Sequence, residues 1–109
     1  MSGIETVADP AAFEDAIAGD DLVIAKFETR ACTVCRQIEP ALRQLRDRSE
    51  GALRIMAVDA EDYAALAERY EIRGVPTLML FRRGRELARC NGFQSTRMLR
   101  EWLAPHTGG

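Results

Sequence analysis

Leu22-Val23-Ile24-Ala25-Lys26-Phe27-Glu28-Thr29-Arg30-Ala31-Cys32-Thr33-Val34-Cys35 is the stretch on which the fold turns. Its first part, Leu22 to Thr29, is an apolar run interrupted by few charges, the pattern of a central strand covered on both faces. From Val34 onward, Ile38, Leu42 and Leu45 recur at helical spacing. Two cysteines therefore stand where a strand hands over to a helix. Pro40 is expected to kink that helix.

Working outward, Asp9 and Pro10 form a helix start, an N-cap followed by proline at the first helical position. Phe13, Ala16 and Ile17 give that helix one apolar face, and Gly19 ends it. On the other side, Gly51 closes the cysteine helix and Leu53 to Val58 reads as a second buried strand. Asp59 leads into a helix whose Tyr63, Leu66, Ala67 and Tyr70 share a face. Thr77 to Phe81 is a third apolar run, and Arg83-Gly84 is a turn that folds Leu87 to Cys90 back antiparallel. A last helix begins near Ser95, with Met98, Leu99, Trp102 and Leu103 expected to face the core. Only the Gly108-Gly109 tail looks loose. Strands alternating with helices imply an α/β fold, a mixed sheet with helices on both faces.

At 109 residues the chain matches one domain, residues 1–109, and so one site is sought. Its net charge of -2 mixes both signs along the chain, so no polybasic face argues for nucleic acid or anionic lipid. No apolar run approaches the roughly 20 residues of a membrane helix, and the acidic beginning lacks a signal-peptide core. The expected setting is the cytoplasm, the expected state a monomer and the expected partners proteins. Lys26 is the only lysine; with the abundant alanine, this reads as the coding bias of a GC-rich bacterial genome.

Three cysteines do not make a disulfide framework, so Cys32 and Cys35 need a chemical explanation. A thiol must become a thiolate to attack a disulfide, and an ordinary cysteine, with a pKa of about 8.5, is mostly protonated at neutral pH. The first turn of a helix supplies unpaired N–H groups and the positive end of the macrodipole. Side chains three apart inside a helix have Cβ atoms about 5–6 Å apart, whereas a disulfide wants about 3.8 Å. Cys32 is therefore expected at the non-helical cap, with Cys35 able to resolve a mixed disulfide formed there. Two other readings are a pair of structural thiols and a zinc site of Cys32, Cys35, Cys90 and His106. The second lacks another closely spaced pair. No metal or organic cofactor is expected.

Together with Ile72-Arg73-Gly74-Val75-Pro76-Thr77, the cysteine pair and the order of elements resemble the thioredoxin family. The resemblance runs from the first helix to Trp102 and includes Pro40 and Gly92. It implies the thioredoxin fold: a central mixed sheet of about five strands, mostly parallel with an antiparallel hairpin, flanked by about four helices. It further implies a cis peptide bond before Pro76, which sequence alone does not assign. Thiol-disulfide exchange with protein substrates follows from the family, with Cys32 as nucleophile and Cys35 as resolving thiol, and an upstream reductase recycling the pair. Ala31, Thr33, Val34, Gly74, Val75, Pro76, Gly92 and Phe93 would contact substrate.

The surroundings of the pair depart from that family. Ala31 replaces a tryptophan, while Thr33 and Val34 replace glycine and proline, so an aromatic wall and a rigid turn are lost. Lys26 stands where thioredoxins usually carry a buried aspartate behind the second cysteine, and the usual lysine neighbour aligns with Ala57. A charged Lys26 would favour thiolates and make the disulfide a stronger oxidant; a neutral one could act as a base. The plainer expectation is that its stem lies on apolar surface while its ammonium snorkels to water or pairs with Glu28. Arg30 and Arg36 read as a solvated rim, Cys90 as a packed thiol, and Arg82, Arg83 and Arg85 as a solvated sheet edge. The rival class is a thioredoxin-fold adaptor or chaperone whose cysteines only modulate contacts.

Overall fold

The computed structural model describes residues 3–107; the Gly108-Gly109 tail lies outside them. Strands β1 (Ile4–Thr6), β2 (Leu22–Glu28), β3 (Leu53–Asp59), β4 (Thr77–Arg82) and β5 (Arg85–Asn91) form one sheet in the order β1-β3-β2-β4-β5. β1 and β2 flank β3 in parallel, while β4 runs antiparallel to both β2 and β5. β2 is thus the middle strand, buried from Leu22 to Phe27 as its apolar run requires. The three-residue β1 lies in the opening segment, which carries no strand signal of its own; it exists by pairing Ile4, Glu5 and Thr6 with Ile55, Met56 and Ala57.

Side-chain alternation along the strands divides the core in two. Val23, Ala25, Phe27, Met56, Val58, Met79 and Phe81 meet α1 (Pro10–Ile17) and α4 (Ala64–Arg69) on one face. Ile24, Ile55, Leu78 and Leu80 meet α3 (Glu39–Arg48) and α5 (Thr96–Leu103) on the other. In the first layer Phe13 stands edge-on to Phe27, Tyr70 and Phe81, with ring centroids 5.8–6.1 Å apart. The helix starts read from sequence are present: Asp9 accepts from the Ala12 N–H at 2.8 Å and Ser95 from the Met98 N–H at 3.1 Å.

The cysteine helix is divided into α2 (Thr33–Gln37) and α3, with Ile38 between them and Pro40 in the first turn of α3. Proline has no N–H to donate, and the helix breaks at that point. The Ile38 N–H still reaches the Val34 carbonyl and the Leu42 N–H reaches that of Ile38, so the two pieces continue one course. Two surface expectations are corrected. Met98, in the first turn of α5, is 45% exposed, whereas Leu99 and Leu103 are buried. Arg82 is half-buried on the interior strand β4, with its Nε enclosed and without a partner, while Arg83 does pair with Asp20 at the surface.

Candidate active site

β2 ends at Glu28 and the chain turns through Thr29–Ala31, with the Cys32 N–H bonded to the Thr29 carbonyl. Cys32 is the N-cap of α2, with extended backbone angles of -85° and 104°. Its sulfur accepts the Cys35 N–H at 3.1 Å. This is the cap position that the spacing of the pair demands, and it brings the two Cα atoms to 5.3 Å in a Cys32–Cys35 disulfide. The two sulfurs are not equivalent: Cys32 is half-buried, whereas Cys35 is 2% exposed.

The turn before β4 arrives at the same sheet edge. Phe27 near the end of β2 stands beside Thr77 at the start of β4, so the residues leaving one strand and entering the other are neighbours. The Val75–Pro76 peptide bond is cis. Thr77 Oγ1 donates to the Gly74 carbonyl at 2.6 Å, and the Gly92 N–H donates to the Pro76 carbonyl at 3.0 Å, joining the Gly74–Pro76 turn to the segment after β5. Gly92 lies at φ 79°, where a side chain would be strained. Ala31, Thr33, Gly74 and Phe93 are exposed and Val34, Val75 and Gly92 half-buried, while Pro76 is buried beneath them. The residues expected to contact substrate thus lie where β2 ends and β4 begins, and Pro76 is the buried one among them.

Lys26 is fully buried, so its ammonium does not snorkel to water. It does pair with Glu28, Nζ to Oε1 2.6 Å, and also with Glu39 Oε2 at 3.1 Å. Although the carboxylate usual at position 26 is absent, two others reach the same place from β2 and α3. Glu39 escaped the sequence reading; its one signal was a position four residues beyond Cys35, one turn further along the helix. Arg30 and Arg36 form a rim: Arg30 pairs with Asp62 at 2.7 Å and Arg36 donates to the Arg30 carbonyl. Beside them a cavity of about 340 Å³ opens at the ends of the parallel strands, with Glu28, Ala57 and Asp59 among its walls. The N–H groups of Asp62 and Glu61, and then Arg30, hold the Asp59 carboxyl below its usual range against the opposing effect of burial. Among the described residues, no three His, Cys, Asp or Glu side chains gather into a group able to hold a metal.

The thioredoxin family profile matches residues 4–105. A thioredoxin-like protein of Synechocystis is 30% identical over 92 residues, covering 84% of this chain and 88% of its own. Thioredoxin 1 of Nostoc is 26% identical over 106 residues, covering 97% and 99%. Protein disulfide-isomerase 1 of Caenorhabditis elegans is 30% identical over 99 residues, but the chain spans only 20% of that longer protein. Among solved structures, a mutant thioredoxin from Halobacterium salinarum superposes with a TM-score of 0.87 at 27% identity, covering 97% of this chain and 92% of that one. Profile, relatives and superposition all run through the disulfide-forming pair: the chain belongs to the thioredoxin family and is a thiol-disulfide oxidoreductase.

Proposed function

We propose that this protein is a single-domain, monomeric thioredoxin-like enzyme of a bacterial cytoplasm that exchanges disulfides with proteins, with Cys32 as nucleophile and Cys35 as resolving thiol. The difference in exposure between the two sulfurs carries this reading. Half-buried Cys32 at the helix cap can meet a substrate sulfur, whereas buried Cys35 can meet only Cys32. In the reduced protein, the Cys32 thiolate attacks one sulfur of a substrate disulfide; that bond breaks and the second sulfur leaves with its electron pair, taking a proton. Cys35, as thiolate, then attacks the Cys32 sulfur. The Cys32–Cys35 bond forms, the bond to substrate breaks, and the other substrate sulfur leaves as a thiol. Two electrons pass from the dithiol to the substrate. A reductase returns them to the oxidised pair.

Ala31, Thr33, Val34, Gly74, Val75, Gly92 and Phe93 would line the substrate, with cis-Pro76 holding the Val75 backbone for an extended segment. The missing tryptophan at Ala31 and the Thr33-Val34 pair favour a restricted partner list over general housekeeping. An adaptor role is less well supported, because nothing in adaptor binding calls for a disulfide-forming pair at a helix cap. Insulin reduction with a chemical reductant tests the assignment. The parent should accelerate precipitation and Cys32→Ser should fall to the uncatalysed rate; equal activity in the two would remove Cys32 from the mechanism.

A further inference from the structure

Among the described residues, Lys26 is the one charged side chain in the buried class. Strand alternation places it on the face covered by α3, the face of Leu22 and Ile24. A buried ammonium needs compensation, and a single carboxylate would supply it. Here two do, Glu28 at 2.6 Å and Glu39 at 3.1 Å, so the unit carries one surplus negative charge. Arg43 pairs with the other oxygen of Glu39, Oε1, at 3.6 Å from a 42% exposed position, where such a pair is worth little. Glu39 follows Cys35 by four residues along a nearly continuous helical course, which sets both on one side of that helix.

We propose that Glu39 is a positioning residue, held by Lys26, whose carboxylate opposes ionisation of the cysteine pair, while Lys26 favours it. This rests on the reading of Cys32 and Cys35 as the redox pair. Reduction by glutathione breaks the Cys32–Cys35 bond; two glutathione thiols give up two electrons and become one disulfide. The protein is left with two thiols, Cys32 and Cys35, which take the two glutathione hydrogens, and at higher pH Cys32 loses its proton and becomes a thiolate. The thiolate adds negative charge beside the Lys26–Glu28–Glu39 unit. Like charges raise the cost of that state, so the unit as a whole favours the disulfide and makes the couple more reducing than Lys26 alone would. Glu28 of β2 and Glu39 of α3 pair with Lys26, Arg43 of α3 pairs with Glu39, and Cys35 of α2 precedes Glu39 by one helical turn. In register beside Lys26, β3 and β4 present only Ala57 and Leu78. Arg30, Asp59, Asp62 and Tyr63 lie beyond Glu28 around the cavity.

The two partners of one contact should thus act in opposite directions, which a mechanical role would not produce. Glu39→Gln should lower the Cys32 thiolate pKa, followed by ultraviolet absorbance of the reduced protein. It should also move the equilibrium with glutathione about three- to tenfold toward reduced protein, about 30 mV for each tenfold. Lys26→Met should do the reverse, and Glu28→Gln should follow Glu39→Gln. Glu39→Gln and Lys26→Met shifting in the same direction, or no shift in Glu39→Gln, would overturn the proposal. If Lys26→Met fails to fold, the sign of the Glu39→Gln shift decides alone. Insulin turnover separates the two readings: wrong signs in a protein that still reduces insulin refute the role of Glu39. An insulin rate equal to that of Cys32→Ser refutes the redox assignment beneath it.

Discussion

Cys90 lies on β5 beside Leu78, packed against the α3–α5 core, and burial pushes its thiol from 9.0 up to about 11. It is therefore a poor nucleophile, unlike a cap cysteine that receives an N–H at its sulfur. In the reduced protein at neutral pH, iodoacetamide should label Cys32 at least about tenfold faster than Cys90, as read by peptide mass mapping. The same shift has a consequence for stability. Because the folded-state pKa is raised, the contribution of protonated Cys90 is fully present below the unfolded-state value and is lost as pH rises toward about 11. Denaturant melts of Cys90→Ala between pH 9 and 11 should show a shallower decline than the parent. At this scale the cysteine pair was legible because a two-residue gap at a strand–helix junction is a local pattern. The company of Lys26 was only half legible: Glu28 is near in sequence, whereas Glu39 arrives by folding.

Helix starts were the most readable elements, since capping is chemistry between residues three apart. Asp9 bonds the Ala12 N–H at 2.8 Å, and removing that acceptor in Asp9→Ala should cost about 1 kcal/mol in urea unfolding, with Asp9→Asn costing less. The break before α3 was likewise readable from Pro40. β1 was not, because three residues ending in Glu and Thr carry no periodic signal and are ordered only by β3. The apolar face of α5 was read correctly at Leu99 and Leu103 but extended one residue too far at Met98. Periodicity gives the direction of a face; the length of the partner beneath it gives its extent.

Across the whole molecule, β2 carries both the structural and the chemical centre. Its Val23, Ala25 and Phe27 belong to the layer around Phe13, while Ile24 and Lys26 face the cysteine helix. Phe13 is fully buried among Phe27, Tyr70 and Phe81, so Phe13→Ala leaves a cavity that neighbouring aromatic rings cannot easily fill. That substitution should cost about 3–5 kcal/mol, read as a lower denaturant midpoint. The site lies on the other side of the sheet, so surviving folded molecules should retain the thiolate pKa of Cys32. The two layers thus separate stability from redox tuning.

By itself the sequence determined the alternation of strands and helices, the helix caps and the placement of Cys32 and Cys35 at a strand–helix junction. Each of these follows from residues within one or two turns of one another. Only the tertiary structure decided that Lys26 is fully buried and shared by two carboxylates. Glu39 stands thirteen residues from Lys26, and their contact depends on how α3 lies across β2. Spacing along the chain prescribes local geometry. The charge that a buried group meets depends on which elements pack against it, and that is settled when the two layers close on the sheet.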